Sequence, residues 1–153
     1  MSKKILIIYN SREETQNTKR IATYMAQAID AQLISISEVD NYKIEDYDLV
    51  GFGSGVYFGK FGKSLIKYIN NLEPFNQSCF VFYTSGAKKC DKAMNNFIDL
   101  LLSKKRKCIG SWHCLGRDVA FTLFKKTGGF NKGRPSEQDC QDAAIFIKEL
   151  FDK

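Results

Sequence analysis

Apolar and polar positions along this chain fall into two alternating periods. "KKILIIY" near the start is a continuous apolar run, the pattern of a strand buried on both faces of a parallel sheet. From Thr18 onward, Ile21, Ala22, Met25, Ala28 and Ile29 recur at helical spacing. "AQLISIS" alternates like an edge strand, and "YDLVGFGSG" is a further buried run that ends in glycines. "KSLIKYINNL" predicts a helix stopped by Pro74, "SCFVFYTSG" another buried strand, and "KAMNNFIDLLLSK" the next helix. "KCIGSWHC" predicts a last, short strand. A loop rich in Gly, Lys and Phe, Gly116 to Pro135, leads to the closing helix "PSEQDCQDAAIFIKELF". There Ser136 is the expected N-cap and Asp139 stands at the third helical position, an Asp-for-Glu capping box.

Strands alternating with helices in this order imply an α/β fold: a doubly wound, five-stranded parallel sheet with right-handed crossovers and helices on both faces. No linker, repeat or low-complexity segment divides the 153 residues, so a single domain over 1–153 is expected. In such sheets ligands sit at the carboxyl ends of the strands, near the point where strand order reverses. The segments that follow the first, third and fourth strands, "NSREETQNT", "GSGVYFGKFG" and "TSGAKKCD", are the unusual ones here.

Composition narrows the partners. At 44% hydrophobic and 26% charged residues the chain reads as a folded globular protein. No apolar stretch approaches the roughly 20 residues of a membrane span, and "MSKKILIIY" lacks the length and cleavage site of a signal peptide, so the cytoplasm is expected. Five cysteines without a C-x-x-C pair favour neither a disulfide framework nor a thiol redox pair. His113 is the single histidine and "WHC" lacks zinc-ligand spacing, so no metal site is expected. A net charge of +6 suits anionic ligands, acidic partners, a membrane surface or nucleic acid. The densest basic run, "KKRK" at Lys104 to Lys107, closes a predicted helix and reads as its solvated end, not as a nucleic-acid arm.

Three loops carry candidate chemistry. Ser11, Thr15, Asn17 and Thr18 cluster at a helix start, where hydroxyls and free amides can bind a terminal phosphate without a lysine. Simple capping by Thr15 or Asn17 is the competing reading. Tyr57 and Phe58 stand between glycines and suit a flat conjugated ligand, unless both rings pack under a neighbouring helix. Thr84, Ser85 and Gly86 offer polar contacts, with Lys88 and Lys89 at the rim. Nucleotide-switch readings fail. "GKS" at Gly62 to Ser64 has Tyr57 where a Walker glycine belongs, the third strand ends without an aspartate, and "GFGSGVYF" does not complete G-x-G-x-x-G.

Taken together, "ILIIYNS…NTKRIA", "YDLVGFGSGVYFGKFGKSL" and "FVFYTSGA" resemble the flavodoxin family, over nearly the whole chain. The resemblance implies flavin mononucleotide (FMN) as cofactor. Ser11, Thr15, Asn17 and Thr18 would surround its phosphate, with Arg12 and Gln16 in the same loop. Ser54, Gly55, Val56, Tyr57, Phe58 and Gly59 would run along one edge of the isoalloxazine. Thr84, Ser85 and Gly86 would meet its pyrimidine side. A peptide turn at Gly59 on reduction, a stabilised semiquinone and one-electron transfer belong to the same implication.

Departures from the family pattern matter as well. Ser11 to Thr18 spans two positions more than the common T/S-x-T-G-x-T, and Gln16 stands where glycine is usual. Arg12 could lend a charge, whereas Glu13 and Glu14 oppose a phosphate unless they face solvent. No aromatic follows Thr84 to stack on the flavin, which would leave one face open. Lys60, Lys63, Lys88, Lys89 and Lys92 lie in or near the presumed flavin loops, so a redox partner with an acidic docking surface is expected. Low-potential electron transfer is the leading expectation. The alternative is a flavin-dependent oxidoreductase of the same fold, of the quinone reductase or protoporphyrinogen oxidase type. In its favour, "GRDVAFTLFKKTGGFNKGRP" sets Phe121, Leu123 and Phe124 beside Lys125 and Lys126. That loop either contacts a membrane or an apolar carboxylated substrate, or tucks its rings into the core. In either case the protein itself supplies no acid, base or nucleophile, because the flavin carries the redox chemistry.

Overall fold

Ile5, Leu6, Ile7 and Ile8 are all buried, and they build the central strand β1 (Ile5–Asn10) of the computed structural model, which describes residues 3–87, 89–117 and 131–152. Lys88 and the segment holding Phe121, Leu123, Phe124, Lys125 and Lys126 lie outside the described residues. The chain continues through α1 (Asn17–Ile29), β2 (Gln32–Ser35), β3 (Leu49–Tyr57), β4 (Lys60–Phe61), α2 (Lys63–Asn70) and β5 (Gln77–Ser85). It then forms α3 (Asp91–Ser103), β6 (Arg106–Leu115) and α4 (Glu137–Phe151). Two short 3-10 helices, Ile36–Asn41 and Ile44–Asp46, fill the connection from β2 to β3.

The strands run in the order β2-β1-β3-β5-β6, all parallel, and β4 adds a sixth, antiparallel to β3. The expected five-stranded parallel sheet is therefore present, with one extra two-residue strand. Side chains that alternate along each strand divide the core in two. Leu6, Ile8, Phe52, Val81 and Tyr83 pack against Leu65 and Ile69 of α2 and Met94, Phe97 and Leu101 of α3. Ile5, Ile7, Phe80 and Phe82 pack against Ile21, Ala22 and Met25 of α1 and Ala143 and Ile147 of α4. Gly51 and Gly53 make room on this second face. A Cβ at Gly51 would lie 2.2 Å from Phe80 Cζ, and one at Gly53 would lie 2.1 Å from Phe82 Cζ.

Two expectations need correction. The last strand is not short but ten residues long, and it begins inside the basic run. Helix α3 stops at Ser103, Lys105 turns the chain with φ 61, and Arg106 opens β6 fully buried. Its guanidinium donates to Gln77 Oε1 at 3.1 Å and Glu73 O at 3.0 Å, and Nη2 lies 3.5 Å from Glu45. A side-chain amide, a backbone carbonyl and the Glu45 carboxylate replace most of the water that a solvated helix end would have kept, although Nη2 makes no hydrogen bond among the described residues. Among the described residues, no helix is long and apolar enough to cross a membrane.

Candidate functional site

The corner from β1 to α1 is built around one unusual backbone. Gln16 takes the left-handed conformation (φ 56, ψ 25), which glycine adopts without strain. Its amide donates to Arg12 O at 2.9 Å, and its carbonyl accepts from Arg20 N at 3.0 Å, the first bond of the helix. The side chain of the cap residue Gln16 caps no amide of α1, and the first turn holds no acidic residue. The capping reading for Thr15 and Asn17 is therefore overturned. Asn17 instead donates its Nδ2 to Arg117 O at 2.8 Å, and Thr18, buried, shares a hydrogen bond with Thr84 Oγ1 at 2.8 Å. Ser11 Oγ accepts from Lys19 N at 3.3 Å. Among the described residues, none accepts from the amides of Asn17 and Thr18. Apart from the Ser11 hydroxyl, the described residues leave the positive end of the α1 dipole open.

Around this corner, Glu13 and Glu14 are exposed, so they satisfy the condition on which an anion could sit there. Arg12 Nη2 is 3.9 Å from Glu14, and the guanidinium lies 5.9 Å from the centre of the Tyr57 ring. Burial raises the Tyr57 phenol above its ordinary pKa, and the nearby Arg12 charge opposes that rise.

The segment after the third strand is not the loop expected from its glycines. Strand β3 runs on through Ser54, Gly55, Val56 and Tyr57, turns at Phe58 (φ 53) and Gly59 (φ 78), and returns as β4. Val56 pairs with Phe61 and Tyr57 with Lys60, a two-residue hairpin whose central residues both have positive φ. Neither aromatic lies under a helix with its ring enclosed: Tyr57 is half-buried and Phe58 is 95% exposed at the hairpin tip. Ser54 turns inward. Its hydroxyl donates to Gly55 O at 2.6 Å and accepts from Gly62 N at 2.8 Å.

From the end of β5, Thr84 is held by Thr18, and Ser85 Oγ donates to Ala87 O. Gly86 O accepts from Asn131 Nδ2 at 2.9 Å. The chain leaving β6 closes this side. Gly116 N donates to Ser85 O and Arg117 N to Arg134 O, each at 2.9 Å. A Cβ at Gly116 would sit 2.5 Å from Asn17 Nδ2, so glycine is what lets Asn17 reach Arg117.

All the expected site residues except Gln16, Ser54 and Gly59 line one cavity of about 190 Å³ at the carboxyl ends of β1, β3 and β5. Gln16 shapes the corner through its backbone, Ser54 braces the hairpin and Gly59 lies at its tip. Arg117 lines the cavity too and was not foreseen. Its only signal in the sequence is a cation one residue beyond the glycine that ends the last strand. The thiols take no part in this cavity: burial pushes Cys79 and Cys114 up to about 12, so both stay protonated. Bare amides, the Ser11 and Thr15 hydroxyls and Arg12 and Arg117 suit a phosphate, and the adjoining Tyr57–Phe58 hairpin suits a flat ring.

Residues 6–114 match the family described as the flavodoxin domain, and the chain belongs to that family. It is 36% identical over 149 residues to an uncharacterized protein of Methanocaldococcus jannaschii, across 97% of this chain and 98% of the relative. Among solved structures, the oxidised flavodoxin 2 of Bacillus cereus superposes with a TM-score of 0.72 at 17% identity, over 97% of this chain and 98% of that one. A flavoprotein of Lactobacillus acidophilus in complex with FMN gives 0.58 at 17% identity, over 73% and 93%. At such identities the likeness to these two is one of fold.

Proposed function

We propose that this protein binds FMN and passes electrons singly between partner proteins. The observation that carries the reading is the start of α1, where the amides of Asn17 and Thr18 have no acceptor among the described residues, opening on a cavity that also takes in the Tyr57–Phe58 hairpin. Thr15 and Ser11 would hold the flavin phosphate together with the amides of Asn17 and Thr18. Arg12 and Arg117 would balance its charge. Thr84, Ser85 and Gly86 would orient the ring's polar edge, and the hairpin would cover an apolar one. The bound flavin supplies the redox chemistry, since none of the described side chains in the cavity is a ready acid, base or nucleophile.

Lys60, Lys63, Lys89 and Lys92 are all exposed, and Lys60 belongs to the hairpin strand β4. Together with the net charge of +6 they favour an acidic docking partner. The open Phe58 tip also keeps the reductase alternative in view, because an uncovered ring face would admit a small second substrate. The deciding measurement is the visible spectrum of protein loaded with FMN, titrated anaerobically with dithionite. Two separated one-electron steps are expected. A single two-electron step, with steady turnover of a quinone, would turn the reading to the reductase, and absence of FMN binding would end both.

A further inference from the structure

Beside the first cavity lies a second, of about 270 Å³. It shares Thr15, Asn17 and Arg117 with the first and adds Arg20 from α1, with Arg134 and Pro135 from the stretch before α4. Three guanidinium groups from distant parts of the chain therefore meet at one concavity. Two of them are already positioned. Arg20 donates to Pro135 O and lies 3.6 Å from Glu137, and both Asp139 oxygens hold Arg134, at 2.6 and 2.9 Å. Those carboxylates offset two of the three positive charges.

The side chain of Arg117 has no hydrogen-bonding or ion-pair partner among the described residues. Among the described residues, one uncompensated cation is thus left where the two cavities join, beside donors whose orientation is already fixed. Guanidinium groups present forks of N–H donors that match the oxygens of phosphoryl groups. Such an arrangement favours an anion, and it disfavours an apolar or cationic occupant.

We propose that this second cavity is a phosphoryl subsite, reached past Asn17 from the corner assigned above to the flavin phosphate. The inference rests on that assignment for the identity of its neighbour but not for its own donors. Its phosphoryl group has two possible sources: the second phosphate of a flavin dinucleotide spanning both cavities, or the phosphate of a separate small molecule.

The test uses the full chain saturated with FMN and inorganic phosphate as the probe, followed by titration calorimetry. One further phosphate per chain is expected, weakened at least about fivefold in Arg20→Gln and in Arg117→Ala. Arg20 lies outside the first cavity, so Arg20→Gln should keep its FMN affinity. If the source is a dinucleotide, FAD binds at least as tightly as FMN and displaces the phosphate. If it is a separate molecule, FMN and phosphate bind together and FAD binds less well. No saturable phosphate binding, or binding that neither variant weakens, overturns the subsite. Should FMN itself fail to bind, only the flavin reading falls; phosphate titrated into the flavin-free chain and into Arg20→Gln then decides the second cavity alone.

Discussion

Helices α1 and α4 both begin at the carboxyl end of the sheet, and their first turns are opposites. At α4 the chain closes its own amides. Ser136 Oγ accepts from Asp139 N at 3.1 Å, Asp139 Oδ2 accepts from Ser136 N at 2.7 Å, and Arg134 clamps the same carboxylate. At α1 no reciprocal box forms among the described residues: Ser11 Oγ accepts from Lys19 N at a long 3.3 Å, and the cap residue Gln16 contributes no side-chain cap bond. Asn17 is turned to Arg117 O, and Thr15 lines the cavity. Helices α2 and α3 also start without side-chain caps, and their cap amides are taken as that of α1 is: Gly62 N by Ser54, Cys90 N by the Tyr83 phenol and Gln16 N by Arg12 O. What sets α1 apart is the cavity its first turn lines, where the amides of Asn17 and Thr18 can meet a group from outside the chain.

The largest test of this contrast removes donors at the open start. Thr15→Ala combined with Asn17→Ala should weaken FMN binding by at least roughly tenfold, since the Thr15 hydrogen bond to a charged group is worth about 1.5–3 kcal/mol and Asn17→Ala releases the anchor on Arg117 O. Flavin fluorescence quenching reads the affinity, and an unchanged value would remove the phosphate corner. Asp139→Asn tests the closed start and should do the reverse, costing about 2 kcal/mol of stability in urea unfolding with FMN affinity intact. The pH dependence has a definite sign. Burial alone would raise the Asp139 carboxyl, but hydrogen bonds from Arg134 and Ser136 outweigh it and hold the pKa below the ordinary value of 3.8. A depressed carboxyl stabilises the fold above its unfolded pKa, and that contribution is lost as pH falls through the folded one. Parent protein should therefore lose stability below about pH 4 more steeply than Asp139→Asn; parallel acid profiles would count against the clamp.

The two helix starts were not equally legible in the sequence: at α1, capping by Thr15 or Asn17 and anion binding read alike. The α4 cap is a local pattern, Ser136 and Asp139 three residues apart, and local patterns survive without tertiary knowledge. Strands β1, β3 and β5 were legible because burial on both faces makes them continuous apolar runs. Strand β4 has two residues and no period to detect. The extension of β3 through Gly55 to Tyr57 was hidden because glycine signals loops, whereas pairing with β4 decides the matter. Arg106 was misread because its burial depends on Glu45, Glu73 and Gln77, which the sequence sets far from it. Arg117 was missed for the same cause: the carbonyl of Arg134 and the glycine at 116 bring it to the cavity. Which polar residues converge can be read from strand ends. Which of them turn inward, as Ser54 does, is set by partners that only the fold supplies.

The smallest effect expected is the most informative about the corner itself. Gln16 holds a left-handed backbone at a cost of about 1 kcal/mol relative to glycine, partly offset by its Nε2 bond to Glu13 O at 3.2 Å. Gln16→Gly relieves that strain but frees the unfolded chain, which works against it by about 0.5–1 kcal/mol. The balance should leave stability within about 0.5 kcal/mol of the parent. FMN affinity should change by less than about twofold, because the side chain does not line the cavity and the bare amides of Asn17 and Thr18 keep their place. A loss of tenfold or more would mean that the glutamine stiffens the corner into its binding shape. The open start of α1 would then depend on rigidity as well as on unmet amides, as the closed start of α4 depends on its clamp.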